Sequence, residues 1–318
     1  MQNKKILVAI LNYNGRTNTD SLFLESIKSI KEQSIENLEI IVIDNHSVDS
    51  SFDEIRFSFP DIELVRTESN FATMAYNAAI SRLTKGDYEY LLLCNNDIIF
   101  EKSFLNNMIE YASAHNNIGY LTPRIMMLSE RNKYNSTGII MNSSGYAWDR
   151  DYGKNIQETG IRPSGEVFAA SGGALFITKE AAQKNGGFDS IYFAYYEDVD
   201  LSVRLRRNTS LTVHYVSDAV CFHAFSISWS KQAGLKEFYM MRNRFLLVLI
   251  HFPLKKLIWA LRFLIFTSSS GNKKNDRRVY FSLFSKLPSV IIRRAVRNFR
   301  AIPFPTNLLE NYHGTPRI

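Results

Sequence analysis

The chain has 318 residues, 45% of them hydrophobic and 22% charged, which sets aside disordered and fibrous classes and leaves room for one large α/β domain with an appendage. Its two cysteines, Cys94 and Cys221, lie far apart in apolar stretches, as buried reduced thiols of a cytoplasmic protein do, rather than a disulfide framework. The net charge of +7 is uneven: from Lys231 onward 17 Lys and Arg face 3 Asp and Glu, and the preceding part carries 21 against 28, so the basicity belongs to the tail.

The first residues are basic and then briefly apolar, but the run ends at Asn12 without a small-residue cleavage site. It reads as a first strand, not a signal peptide. Strands are expected at Ile6–Leu11, Glu39–Asp44, Ile62–Arg66 and Tyr90–Cys94, alternating with helices at Ser21–Lys31, Ser50–Phe59, Thr73–Leu83 and Ser103–Ala114. That alternation predicts a largely parallel sheet, in which ligands sit beyond the carboxyl ends of the strands. The residues there are Asn12-Tyr13-Asn14-Gly15, Asp44-Asn45 and Asn95-Asn96-Asp97, all polar except Gly15.

From about 125 to 165 Asn, Ser, Gly and Tyr prevail with weak periodicity, predicting loops and short antiparallel strands that shape an acceptor cleft. Ser171–Ile177 reads as a strand entered through Gly172 and Gly173, followed by a helix from Lys179, then Gly186-Gly187-Phe188-Asp189 and the acidic run Glu197-Asp198-Val199-Asp200. Phe245–Phe266 is apolar, but His251, Pro253, Lys255, Lys256 and Arg262 break it short of the ~20 apolar residues a membrane span needs. An interfacial helix pair is expected there. Beyond it, Leu287, Ile291, Ala295 and Phe299 form a stripe with Ile292 and Val296 beside it, while Arg293, Arg297 and Arg300 take other faces. This pattern predicts a helix on an anionic bilayer. Its arginines alternate with aliphatic residues and lack a stacking platform, which argues against a nucleic-acid partner.

Asp97 closes an apolar strand, and one carboxylate with phosphate oxygens and water suffices to hold Mg²⁺ or Mn²⁺; Asn-Asn-Asp is equally a turn sequence. Glu197 and Asp198 sit among aromatic residues, where burial and like charge raise a carboxyl pKa toward the range of a general base. The same run also suits the first turn of a helix, which favours acidic residues. His223 follows a β-like run, where a metal ligand and a packed histidine read alike. Asp44-Asn45-His46-Ser47-Val48-Asp49 suits a nucleobase or ribose, and equally a helix cap through Ser47 or Asp49. There is no Gly-x-Gly-x-x-Gly or phosphate-loop pattern.

Together these motifs, with Val8–Gly15, Gly172–Phe176 and Gly187-Phe188-Asp189, resemble family 2 inverting glycosyltransferases, in particular their bacterial rhamnosyltransferase-like branch, over roughly the first 245 residues. The basic amphipathic helical tail divides the chain at residue 230, leaving 231–318 as a membrane-surface region. For the part before it, the resemblance implies a GT-A fold, Rossmann-like, with a mostly parallel sheet and helices on both faces. It implies that Leu11 and Tyr13 flank a nucleobase, that Asp44 hydrogen-bonds it, and that Asn12, Asn45, Ser69, Asn70, Asn77, Asn95 and Asn96 complete the donor site. Gly172 and Gly173 would face the acceptor, Asp97 and His223 would bind Mn²⁺ or Mg²⁺, and Asp198, with Glu197 beside it, would be the catalytic base. The partners implied are a nucleotide sugar, dTDP-rhamnose or a UDP-sugar, and a glycan or polyprenyl-linked acceptor at the cytoplasmic face of the plasma membrane. Two departures stand out. Asn95 replaces the first acidic residue of the family's Asp-X-Asp motif, and Ser69–Asn77 lacks the glycines related proteins carry there. An alternative keeps the fold and loses turnover, leaving a glycan- or nucleotide-binding protein.

Overall fold

The computed structural model describes residues 5–224, 233–254, 257–258, 273–299 and 309. In chain order the elements are β1 (Ile6–Asn12), α1 (Gly15–Thr19), α2 (Leu22–Lys31), β2 (Leu38–Asp44), α3 (Ser51–Ser58), β3 (Glu63–Arg66), α4 (Ala72–Lys85), β4 (Tyr90–Asn95), β5 (Ile98–Phe100), α5 (Phe104–Ala114) and β6 (Ile118–Met127). There follow β7 (Tyr134–Ser136), β8 (Ile139–Met141), β9 (Ala147–Asp149), α6 (Ile156–Thr159), β10 (Gly165–Glu166), β11 (Ala174–Thr178), α7 (Lys179–Asn185), α8 (Glu197–Asn208), β12 (Thr212–His223), α9 (Ala233–His251) and α10 (Lys273–Phe299).

The expected strands and helices of the first 120 residues all form. The sheet runs β10-β12-β6-β11-β4-β1-β2-β3, with β3, β2, β1 and β4 mutually parallel and β6 parallel to β12. Strand β11 lies antiparallel between β4 and β6. Alternation along β1 explains why both faces must be covered. Ile6, Val8 and Ile10 pack on Phe23, Ile27 and Ile30 of α2 and on Phe104 and Met108 of α5. Leu7 and Ala9 face Ala79 and Leu83 of α4, with Leu201 and Leu205 of α8 in the same core. A strand with helices on both sides has no polar face, so β1 and β4 are apolar up to their last residues, Asn12 and Asn95.

A third core joins the tail to the body. Phe245, Leu246, Leu247, Val248, Ile250 and Phe252 are buried with Tyr192, Tyr196, Val199 and Val203. The interfacial reading of Phe245–Phe266 is therefore corrected up to Phe252. That stretch lies inside the protein, where each large apolar side chain contributes about 1.5–3 kcal/mol by burial. Most of the remainder of that segment, and Arg300, lie outside the described residues. Helix α10 packs on α9: Arg294 donates to the carbonyls of Leu249 (2.7 Å) and Phe252 (2.9 Å). Arg293, Arg294 and Arg297 of α10 thus turn inward. Its outer face carries Phe281, Phe284, Leu287, Ile291, Ile292 and Val296, with Phe281 and Phe284 76% and 75% exposed. No helix among the described residues is long and apolar enough to cross a membrane.

Candidate active site

Parallel register brings the polar strand ends together, with Asn12 opposite Asp44 and Leu11 opposite Asn95. The Asn12 amide donates to Asp44 Oδ1 (2.7 Å), Ser51 Oγ (3.0 Å) and Ser47 Oγ (3.2 Å), and its oxygen accepts from Asn96 (2.7 Å). Asn12 and Asp44 are both buried. Asn12 therefore ties β1, β2 and β4 at their ends, while Asp44 also accepts from the Ser47 amide at 3.1 Å and has Arg66 Nε 3.5 Å away. Asn45 donates to Asn70 Oδ1 (2.6 Å) and accepts from the Phe71 amide (3.0 Å). Of the Ser69–Asn70 pair, it is the Asn70 side chain that joins the cluster. Tyr13, 38% exposed, stands at its mouth.

Asn77 lies apart from this group. Its amide is fully engaged with the backbone of Phe188, donating to the carbonyl (2.9 Å) and accepting from the N–H (2.7 Å). The turn after β4 leads into β5, whose antiparallel pairing places Ile98 opposite His223, and the Ala224 amide donates to the Asp97 carbonyl (3.0 Å). That pairing sets His223 Nε2 3.1 Å from Asp97 Oδ1. The other ring nitrogen, Nδ1, lies 2.9 Å from Asn135 Oδ1. Nε2 is thus the nitrogen turned toward Asp97. Burial pushes the His223 pKa down, but the Asp97 carboxylate more than offsets it and the net direction is up.

Asp97 Oδ1 is buried and makes no aligned hydrogen bond among the described residues. An orphaned carboxylate oxygen beside an imidazole nitrogen is a donor set suited to Mn²⁺ or Mg²⁺. Among the described residues no three His, Cys, Asp or Glu side chains gather around one point, so phosphate and water would complete such a shell.

At the start of α8 the Asp198 carboxylate accepts from the Gly172 amide (2.8 Å) and from Val199 (2.8 Å). Gly172 thus spends its amide on Asp198, and a Cβ there would meet Asp198 Oδ2 at 3.1 Å. Glu197 Oε2 is buried without a hydrogen-bond partner among the described residues. Burial raises the pKa of both groups, and the Asp198 charge raises Glu197 further. Burial, then Glu197 and, further down, Asp97 and Asp198, push the Tyr76 phenol up. All three carboxylates are thus within electrostatic reach of the Tyr76 hydroxyl, which donates to Asn95 (3.0 Å).

Two residues on, Asp200 is fully buried, with Arg204 Nε at 2.7 Å, His251 Nε2 at 2.8 Å and Arg297 Nη1 at 2.9 Å. Arg293 and Arg297 also pair with Asp189. Burial alone would raise the Asp200 pKa, but Arg204 and Arg297 hold it well below the usual carboxylate range.

Comparisons with known proteins identify the family and the fold. The family model described as Glycosyl transferase family 2 matches residues 8–183, and a second, Glycosyl transferase family group 2, matches residues 99–288. The chain belongs to glycosyl transferase family 2. A family relative, the N-acetylglucosaminyl-diphospho-decaprenol L-rhamnosyltransferase of Mycobacterium tuberculosis, is 27% identical over 223 residues, covering 63% of this chain and 70% of the relative. Solved GT-A neighbours share the fold. A mannosyltransferase of Pyrobaculum calidifontis in complex with GDP-Man and Mn²⁺ superposes with TM-score 0.55 at 15% identity, over 93% of this chain and 87% of the other. GalNAc-T7 with UDP, GalNAc and Mn²⁺ gives TM-score 0.60 at 13% identity, over 80% of this chain but 49% of that one.

Sequence reasoning missed three residues of the GT-A cleft. Asn135 on β7 orients His223. Asp149 on β9 has its carboxyl pushed up to about 6, by burial first and by the charge of Asp198, with Ser136 opposing. Tyr76 on α4 holds Asn95. The first two come from the weakly periodic 125–165 segment, where the residue types signal loops and short strands around a cleft but single out no residue.

Proposed function

We propose that the chain is a metal-dependent, inverting glycosyltransferase that moves a sugar from a nucleoside diphosphate to a lipid-linked glycan. The observation that carries this reading is the convergence of the Asp97–His223 pair and Asp198 beyond the end of β4: Gly173, whose carbonyl accepts from the Asn95 amide (3.1 Å), lies beside His223, and the preceding Gly172 amide donates to Asp198 (2.8 Å). Asp44, Asn45 and Asn70 would hold the nucleoside, with Leu11 and Tyr13 against the base. Asp97 and His223 would hold Mn²⁺ or Mg²⁺, which when bound neutralises the leaving diphosphate. Asp198, fixed by the Gly172 amide, takes the proton of the acceptor hydroxyl as its oxygen attacks the anomeric carbon. The bond to the diphosphate breaks on the opposite face, so one displacement inverts the centre. Gly173 lies beside His223, on the side where the acceptor would enter.

dTDP-rhamnose donor and polyprenyl-diphosphate acceptor are proposed on the strength of the 27% identical relative. That acceptor class would place the enzyme at the cytoplasmic face of the plasma membrane. The face of α10 that would meet lipid is the apolar one, because Arg293, Arg294 and Arg297 are tied to the body. A panel of nucleotide sugars with Mn²⁺ tests the chemistry. Turnover of one donor, abolished by EDTA, is expected; nucleotide binding without turnover of any donor would favour a binding protein. For the membrane arm, flotation with anionic liposomes is expected to be lost in a Phe284→Glu, Ile291→Glu variant, and unchanged flotation would refute that surface.

A further inference from the structure

The residue that aims the proposed base lies outside the motifs, on α9. Tyr195 (φ 66°) and Tyr196 (φ 69°) are consecutive non-glycine residues in the left-handed region, directly before Glu197 and Asp198. Such conformations cost on the order of 1–3 kcal/mol each and persist only where the surroundings enforce them. Tyr196 is held through its ring: the hydroxyl donates to the Gly145 carbonyl (3.2 Å) and accepts from the Ala147 amide (3.1 Å).

The backbone of Ala194 and Tyr195 is held by Asn243. Its fully buried side chain donates from Nδ2 to the Ala194 carbonyl (2.6 Å) and to the Tyr195 carbonyl (2.7 Å). The orientation of this amide is forced by its partners, since its oxygen accepts from Arg242 Nε (2.8 Å) and a flipped amide would set donor against donor and acceptor against acceptor. The adjoining residues grip the flanks. Arg242 reaches the Ile191 carbonyl (3.4 Å), and Arg244 reaches Ser144 Oγ (3.1 Å).

We propose that Asn243 is a positioning residue that fixes the left-handed Tyr195–Tyr196 turn and thereby the direction of the Glu197 and Asp198 carboxylates. This rests on the catalytic reading above only for its effect on turnover; the effect on the backbone stands by itself. In the full chain, Asn243→Ala is expected to speed amide exchange at 194–199 by about tenfold or more while residues 5–123 keep their protection. With the donor the wild type uses, kcat is expected to fall about 30- to 100-fold at an almost unchanged donor KM, the scale of a ~1 Å misplacement. Adding Tyr195→Gly should restore much of that loss, because glycine enters the left-handed region at no steric cost. A residue that merely filled the core would not be rescued in this way.

Unchanged exchange at 194–199, or no rescue by glycine, would overturn the proposal. Should the alanine variant fail to fold, Asn243→Asp keeps the shape and the bond from Arg242 while replacing both donors by acceptors, and the same exchange readout decides. A wild type that turns over no donor would defeat the catalytic reading and leave the exchange measurement to judge Asn243 alone.

Discussion

Asp198 and Asp200 sit two residues apart at the start of α8, both inside the protein, and they meet opposite surroundings. Asp200 is enclosed by Arg204, Arg297 and His251 and stays ionised. Asp198 has only backbone amides, with no ion pair among the described residues, and its pKa is raised. Helix geometry causes the split, because residues two apart point to different sides. One side faces Arg204 of α8 itself and Arg297 of α10, the other the cleft. The lesson is that a buried acidic run carries two functions when the fold supplies cations to one face only. A charge left without a partner is where chemistry is expected, and a saturated one is where strength is expected.

Three substitutions would break or sharpen this contrast. The largest effect is expected for Asp198→Asn, which removes the base and should cost about 10²–10⁴ in kcat with thermal stability unchanged or higher, since an unpaired buried carboxylate is lost. Steady-state rates and a melting curve on the same preparation check it; full activity would dismiss Asp198 as the base.

Asp200→Asn should do the reverse. With Arg204 left without its anion and Arg297 left with Asp189 alone, unfolding in urea is expected to become easier by roughly 3–5 kcal/mol, and a stability loss under ~1 kcal/mol would mean the cluster is not tightly held.

The mildest effect concerns acid. His251 is buried beside Asp200, and burial lowers its pKa from 6.5 to about 4 despite that carboxylate. Arg207 Nη1, 3.4 Å from Nδ1, opposes a second proton as well. The folded histidine is therefore neutral between those values while the unfolded one takes up a proton. Its contribution is complete above pH 6.5 and is lost as pH falls toward 4, by about 3 kcal/mol in all. A His251→Gln variant should show a flatter fall of stability across that interval, and parallel curves for the two proteins would remove His251 as the source.

The first half of the fold was legible because strand and helix periods there are clean and both faces of β1 and β4 are covered. The strand-end residues were legible for the same reason: once β1, β2 and β4 are placed in parallel, Asn12, Asp44 and Asn95 must converge. The tail shows where this reasoning ends. The stripe of Leu287, Ile291, Ile292 and Val296 was correctly grouped, but periodicity sorts residues into faces without saying which face looks inward. Here the decision was made by Asp189 and Asp200, about a hundred residues earlier, whose charges draw Arg293 and Arg297 into the body. Asn135 and Asp149 were illegible on different grounds. Their place beside the cleft depends on the pairing of β7 with β6 and of β9 with β8, which short strands between Asn- and Gly-rich turns do not announce.

The clasp between Asn77 and Phe188 has a consequence for sequence variation. A side chain added at Gly187 would collide with the Asn77 amide, and that amide makes two bonds from α4 to the loop before α8. Libraries that vary one position at a time would score 77 and 187 as intolerant for reasons that look unrelated. Randomised together, the pair should yield viable combinations, and among homologues the two positions are expected to change as one unit.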